Sequence, residues 1–548
     1  MKYYDTLCQC DEKGGLLLAA ETVKGAREYR KELNTWHVVF LAVGAILGPA
    51  VAFTPVDVLS VAGPAGLLSW PIAMLLLFPV ALTYVELSAM WPRAGGVAYY
   101  PTKSHGALVG VLNGWGAFLG YVLAPASIII AFVEYLSYFF PPLFSNGNLT
   151  GLGVAASIGA IFTVFLINIL RIKRIGDINN LLTVLTVVLI VILVGALLFF
   201  FDSSNFTSSQ VGGFFAFGGS GVFVATSVTV YGYGGFRQPI DYAEELKDPG
   251  RSLPRAVIAT MLVVALIYFL ESFAFAGAIR WNGVGTTVGN WGYFYTLPYP
   301  FVTLAKGAAS GSVLTLLILV AITAALIASY KDGIIYFGGA SRVGNTMSRY
   351  DNFFPPVFSR LNRRGVPFIS AVLALFVTVI FILLFPSFSS LFSIVVDGLL
   401  VSYAPGAISL AVFRRYYPNE KRPYLLPAYK VLAPVSFIVA SLLIFWSGWS
   451  ATHILIIAVL IGVLFLLYYH HRVGLKASDV KYGIWYPVYF IAVLAISYSS
   501  STTFGGKNYI PFPYDTVVFI IAMIVFYIWG YYSGVRFMEE RGAAEASA

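Results

Sequence analysis

Fourteen times along this chain a stretch long enough to cross a bilayer passes with little or no charge: 36–58, 66–91, 107–139, 151–170, 179–201, 217–237, 255–279, 311–342, 367–386, 390–414, 430–450, 452–470, 484–500 and 514–534. About 20 apolar residues wound as a helix match the hydrocarbon thickness, and a helix pairs its own backbone groups where no water can. The chain therefore reads as an all-α polytopic membrane protein of about 14 transmembrane helices. An even number of crossings returns both termini to one side. The shortest connection, Ser447-Gly448-Trp449-Ser450, reads as a tight turn.

Charge says which side that is. With the amino terminus inside, the outer segments hold only Arg280, Lys306 and Lys507 of the 34 Lys and Arg residues, so both termini are expected in the cytosol of a cell whose plasma membrane the chain spans. The net charge of +9 follows from that placement, and no nucleic-acid partner is needed to explain it. A content of 59% hydrophobic and 11% charged residues, with mean hydropathy +0.81, excludes a soluble globular protein. The 16% of aromatic residues read mainly as interfacial belts and lipid-facing packing. Residues 1–35 mix acids and bases without an apolar core, which makes them a cytosolic tail rather than a signal or transit peptide. Cys8 and Cys10 in that tail read as reduced thiols, and no disulfide framework exists beyond them. Two sequons, Asn148-Leu149-Thr150 and Asn205-Phe206-Thr207, fall in predicted outer loops.

Two of the apolar runs are built to break. The first contains Gly44-Ala45-Ile46-Leu47-Gly48-Pro49-Ala50, and the sixth reaches Tyr231-Gly232-Tyr233-Gly234-Gly235-Phe236 before turning charged. Each glycine costs a helix interior about 1 kcal/mol against alanine, and backbone groups freed at membrane depth are tolerated only where protein, water or a ligand satisfies them. Two interrupted helices, each opening a block of five, mark an inverted repeat with a binding site at the midplane. The expected organisation is a tail over 1–35, a first five-helix repeat over 36–210, a second over 211–426, four additional helices over 427–535 and a cytosolic tail over 536–548. The polar run from Arg237 through Arg255 is expected to be the sixth helix's cytosolic exit.

Several motifs in order carry a resemblance. Ala62-Gly63-Pro64-Ala65-Gly66, Tyr84-Val85-Glu86-Leu87, and Trp91-Pro92-Arg93-Ala94-Gly95-Gly96 are followed by Gly114-Trp115 and Ala124-Pro125-Ala126. Glu244-Glu245 with Leu253-Pro254-Arg255, Ser341-Arg342, Arg349-Tyr350-Asp351, Arg364-Gly365-Val366-Pro367, and Arg422-Pro423 continue the series. Together they resemble the amino acid-polyamine-organocation (APC) superfamily of secondary transporters over residues 36–430. The resemblance implies alternating-access transport of an amino acid or related amine, with helices one and six unwound around it. Half-helix amino termini then attract a carboxylate, and free carbonyls at half-helix carboxyl ends hold an ammonium.

The substrate-lining residues expected on this basis are Gly44, Ala45, Ile46, Gly48, Ala50 and Val51 in the first helix and Tyr231, Gly232, Tyr233, Gly234, Phe236 and Arg237 in the sixth. Where the family has a small hydroxyl residue between two glycines, this chain has Pro49, which has no N–H to offer; the amides of Ala50 and Val51 are the remaining donors. Arg237 either supplies the missing carboxylate contact or pairs with Asp241 four residues on. Tyr231 is read as a gate or as packing. For the coupling ion, the fifth-helix position where many proton-coupled members carry Lys holds Thr186. The Lys331-Asp332 pair is the alternative: eleven helical residues separate Lys331 from Arg342, about 16 Å, which puts the pair near mid-membrane beside the first break and able to trade a proton. Glu86 reads as structural, while Glu134, Glu271 and Asp397 are isolated carboxylates without an assigned partner.

No filter motif points to a channel, and five His without H-x-x-x-H or H-E-x-x-H argue against an enzyme, a metal or a cofactor. The expected function is proton-coupled uptake. An uncoupled exchanger and a non-transporting amino acid sensor are the alternatives.

Overall fold

The computed structural model describes residues 28–385, 387 and 398–546. Most of the expected cytosolic tail with Cys8 and Cys10, the start of the tenth apolar run and Asp397 lie outside these residues. Among the described residues the main elements are helices α1 (Thr35–Ile46), α2 (Ala50–Ala62), α3 (Ser69–Met90), α4 (Gly96–His105), α5 (Ala107–Leu136), α6 (Gly151–Asn168) and α7 (Ile172–Leu198). They continue with α8 (Gly218–Gly232), α9 (Gln238–Asp241), α10 (Pro249–Ala278), α11 (Pro300–Ala308), α12 (Gly311–Arg349), α13 (Phe368–Leu384) and α14 (Ala404–Tyr416). The last are α15 (Tyr429–Trp446), α16 (Trp449–Leu460), α17 (Val463–Tyr468), α18 (Trp485–Ser499) and α19 (Tyr514–Ala546).

Ten helices among the described residues are long and apolar enough to cross a membrane, which makes this a multi-pass membrane protein. The number is below fourteen for local reasons. The first run is cut at its break and its second piece, α2, runs on into α3 as one segment; α8 and α13 are 15 and 17 residues long, and of the tenth run the described helix α14 has 13 residues. Large apolar side chains such as Leu75, Leu181, Phe199, Leu266, Phe376 and Ile521 point outward, exposed, on these helices. Water would penalise such a belt, and lipid does not.

The break between α1 and α2 follows from three residues. Leu47 leaves helical geometry at φ −80°, ψ 60°, and Pro49 then starts α2 at its N-cap, where a missing N–H costs no helical bond. The second interruption is of another kind. After α8 the chain tightens into a single 3₁₀ turn, Gly234–Arg237, and resumes as α9 without an intervening loop.

The first part of the run that starts at Arg237 is buried, and the chain reaches the surface only from Lys247 on, at Lys247, Asp248 and Arg251. Arg237, Gln238, Asp241 and Glu245 are buried, none more than 1% exposed. Arg237 donates to Ser402 Oγ at 2.6 Å and to the Tyr121 hydroxyl at 3.1 Å, its Nε lies 3.7 Å from Asp241 Oδ2, and its guanidinium sits 4.4 Å from the Tyr403 ring centroid. Polarity in the sequence reports the need for partners, and here the partners are protein rather than water. Farther along, Arg342 grips Glu245 with two bonds of 2.6 and 2.9 Å, both side chains buried. Beside this pair the backbone of Leu33 bonds to Glu245 and Lys247, tying the chain ahead of α1 to the segment after α9.

Glu86 is structural, as its position suggests: it accepts two bonds from Arg414 and one from the Leu426 amide. The helices after α14 are fastened to the body through buried polar bonds. Tyr486 donates to Asn113 on α5, His105 on α4 meets the Gly530 carbonyl, and Asp479 accepts from the Ala107 amide.

Candidate functional site

The two interruptions touch. A Cβ added to Gly235 would lie 2.0 Å from the Ala45 carbonyl oxygen, so only glycine lets the second interrupted helix press its backbone against the first. Beside the contact is a cavity of about 60 Å³. Ala45, Ile46, Gly48, Pro49 and Ala50 line it from the first break, and Val230, Tyr231, Gly232, Gly234 and Gly235 from the second. Ala124 and Ser127 of α5, Asp332 and Tyr336 of α12, and Tyr403 ahead of α14 complete the polar and aromatic part of its wall.

Among the described residues no carbonyl accepts the amide hydrogen of Gly48, which lines the cavity together with Ala50, Gly234 and Gly235. Gly48 and Ala50 stand at the amino-terminal end of α2, where the helix dipole adds to their partial positive charge. Facing them is a carboxylate. Asp332 packs so tightly on Gly48 that a Cβ there would fall 2.0 Å from its Oδ2, and its buried Oδ1 has no hydrogen-bond partner. The cavity thus offers the Gly48 amide and the amino-terminal end of α2 for an anionic group beside an acceptor for a cationic one.

Lys331, the neighbour of Asp332, faces the other way. Its ammonium donates to the carbonyls of Gly44 and Leu47, each at 2.6 Å, and so caps the negative end of α1. The two residues make no ion pair with each other, since consecutive helical positions point about 100° apart. Thr186 takes no part in the break; it donates to the Leu182 carbonyl within its own helix. One turn earlier, Thr183 and Asn179 abut Gly44, and Thr183 donates to the Phe40 carbonyl.

Of the residues expected in the lining, Ala45, Ile46, Gly48, Ala50, Tyr231, Gly232 and Gly234 are at the cavity. Gly44 meets α7, Val51 faces a second cavity, and Tyr233 donates to the Trp70 carbonyl. Phe236 packs on Tyr403, and Arg237 lies behind that ring with its bonds already made. Tyr231 reaches past the cavity to Ser447 at the end of α15, at 2.9 Å. Sequence reasoning missed Tyr403, which donates to the Gly234 carbonyl at 2.9 Å, and Tyr268, which donates to the Ile46 carbonyl at 2.8 Å. Nothing in the spacing marks them, because each is a lone tyrosine in an apolar run.

The model of the family described as Amino acid permease matches residues 33–451, about three quarters of the chain and all of this site. The chain belongs to the amino acid permease family. The permease is 31% identical to the "Glutamate/serine transporter AimA" of Bacillus subtilis over 93% of its own length and 95% of the relative's. With the "Aspartate-proton symporter" of the same organism it shares 29% identity over 92% and 97% of the two lengths. It is 25% identical to human "Cationic amino acid transporter 4" over 70% of its length and 60% of the relative's. Both bacterial matches extend beyond residue 451, so the permease shares with these relatives the helices that follow the family segment.

Proposed function

We propose that this permease is a secondary active transporter that carries a small polar or acidic amino acid across the plasma membrane by alternating access, in symport with protons. The observation that carries the proposal is the cavity between the two breaks, with the unpaired Gly48 amide at the amino-terminal end of α2 on its wall and the unpartnered Oδ1 of Asp332 beside it. An α-carboxylate and an α-ammonium are the two charges every amino acid presents, and each finds its complement here. An amine lacking the carboxylate would leave the Gly48 amide and the amino-terminal end of α2 unanswered. The names of the two bacterial relatives, one a glutamate/serine transporter and one an aspartate-proton symporter, support an acidic or small polar cargo and a proton as the coupling ion. Hydroxyl groups of Ser127, Tyr231, Tyr336 and Tyr403 are the wall's remaining polar groups for a cargo side chain.

In this reading Lys331 and Asp332 divide the work. Lys331 holds α1 closed by its carboxyl end as long as it is protonated, and loss of that proton frees the Gly44 and Leu47 carbonyls. Fourteen crossings in two inverted five-helix blocks plus four additional helices, with cytosolic termini, give the moving parts. The test is uptake into proteoliposomes under an imposed pH gradient. Wild type should accumulate amino acid, and Lys331→Ala should lose pH-driven uptake while still exchanging internal for external amino acid. Binding without any flux would leave a sensor, and flux indifferent to pH an exchanger.

A further inference from the structure

The second cavity lies on the other side of α2 and belongs to a carboxylate that the proposed site does not use. Glu271 of α10 is 1% exposed. No hydrogen bond or ion pair reaches it among the described residues, and its Oε2 is sealed from solvent. It lines a space of about 10 Å³, at the threshold for one water, walled by Val51 and Ala52 of α2, Ile190 of α7, Ala324 of α12, Tyr135 and Tyr299.

Its neighbours on α10 place it at a moving joint. Three residues before it, Tyr268 donates to the Ile46 carbonyl at the end of α1; one residue after it, Ser272 donates to the Pro55 carbonyl in α2 at 3.1 Å. The face carrying Glu271 therefore bridges both sides of the first break. The titratable groups that face it are tyrosines: Tyr135 from α5, Tyr299 ahead of α11, and Tyr268 on its own helix. Asp57 of α2 and Glu134 of α5 are other acids on these elements, α7 lines the cavity with Ile190 and Leu193 while its charged residues lie in its first two turns, the acid of α3, Glu86, is paired with Arg414, and from α12 Lys331 and Asp332 sit at the opposite side of the break. Among the described residues no cation stands within ion-pair distance. An ionised carboxylate without a partner in such a wall is strongly disfavoured, whereas the neutral acid is tolerated.

We propose that Glu271 is a second proton-binding site of the transport cycle, separate from Lys331 and Asp332. It is loaded as the carboxylic acid while α2 is seated on α10, and it releases its proton to water when α2 swings away and the cavity floods. The bond broken is the carboxyl O–H, and the proton leaves as hydronium on the side to which the cavity opens. This rests on the proton-symport reading.

Proton counting with a pH dye in proteoliposomes, against amino acid taken up, tests it. Glu271→Gln mimics the loaded form, so it should bind and exchange amino acid like wild type while moving a whole proton fewer per amino acid. An unchanged proton count and pH profile in Glu271→Gln, alongside a changed count in Lys331→Ala, overturns the inference and leaves the symport reading standing. A wild type that moves no protons ends both. Should Glu271→Gln fail to fold, infrared spectroscopy of the wild type with carbon-13-labelled glutamate decides: at neutral pH a protonated glutamic acid stretch supports the site, and its absence overturns it.

Discussion

Asp332 is ordinary in the sequence and exceptional in the fold. A buried carboxylate with an unpartnered oxygen, pressed against a glycine at a broken helix, is expensive to keep unless a cargo or proton answers it. Asp332→Asn keeps the shape and removes the charge. Losing a charge-assisted bond of about 1.5–3 kcal/mol should weaken amino acid binding about 10- to 150-fold, read by thermal-shift titration, with the unliganded melting temperature kept or raised. Asp351, beyond the carboxyl end of α12, is a contrasting case. It is 5% exposed with Oδ2 unpartnered, and burial pushes its carboxyl from 3.8 up to about 7. A folded-state value above the unfolded one means that the folded protein binds the extra proton, so this group's stabilisation is present below pH 4 and lost as the pH rises to about 7. Asp351→Asn should therefore melt higher than wild type at pH 8, with the gap narrowing at pH 5 and gone below pH 4.

The two interrupted helices behave as one element split between distant parts of the chain. Gly235 and Ala45 are in backbone contact, and the contact leaves no room for a methyl group. Gly235→Ala should force them apart, costing about 1–3 kcal/mol and abolishing measurable uptake, while Gly219→Ala, which meets open space, should do neither. A melting curve paired with an uptake assay separates the two. Arg237 and Asp241 lock the turn behind the cavity. Removing the cation alone strands a buried carboxylate, so Arg237→Ala should lose about 3–5 kcal/mol and most of its expression, measured by fluorescence-detected size exclusion. The break at Gly48-Pro49 was legible because glycine and proline act locally on the backbone. The destination of Arg237 was not, because an arginine reads alike whether water or Tyr121, Ser402 and Asp241 receives it.

For the molecule as a whole, the two sequons give a test of sidedness. Asn148 is exposed in a small hairpin, whereas Asn205 is 3% exposed and its amide nitrogen already bonds to the carbonyls of Ala276, Gly277 and Ile279. Its Oδ1 accepts from Trp281. In a glycosylating host Asn148→Gln should abolish the mobility shift caused by glycan and Asn205→Gln should leave it unchanged; the reverse pattern, or no glycan on wild type, would count against placing that loop outside. Equal as motifs, the two asparagines part only when the segment carrying Asn205 folds onto the end of α10. The helices after α14 are likewise part of the body rather than a loose appendage, through Tyr486, His105 and Asp479.

Class, membrane residence and the positions of both interruptions were already written in the chain, since segment length, charge asymmetry and Gly/Pro placement act through local physics. Which residues meet at the interruptions was decided by packing. Lys331 capping α1, Asp332 turned to the cavity, Thr183 rather than Thr186 beside Gly44, and Tyr268 and Tyr403 on the Ile46 and Gly234 carbonyls all depend on the rotation of one helix against another. A shift of one residue turns a helix by about 100°, and hydropathy is blind to such a turn when every face is apolar.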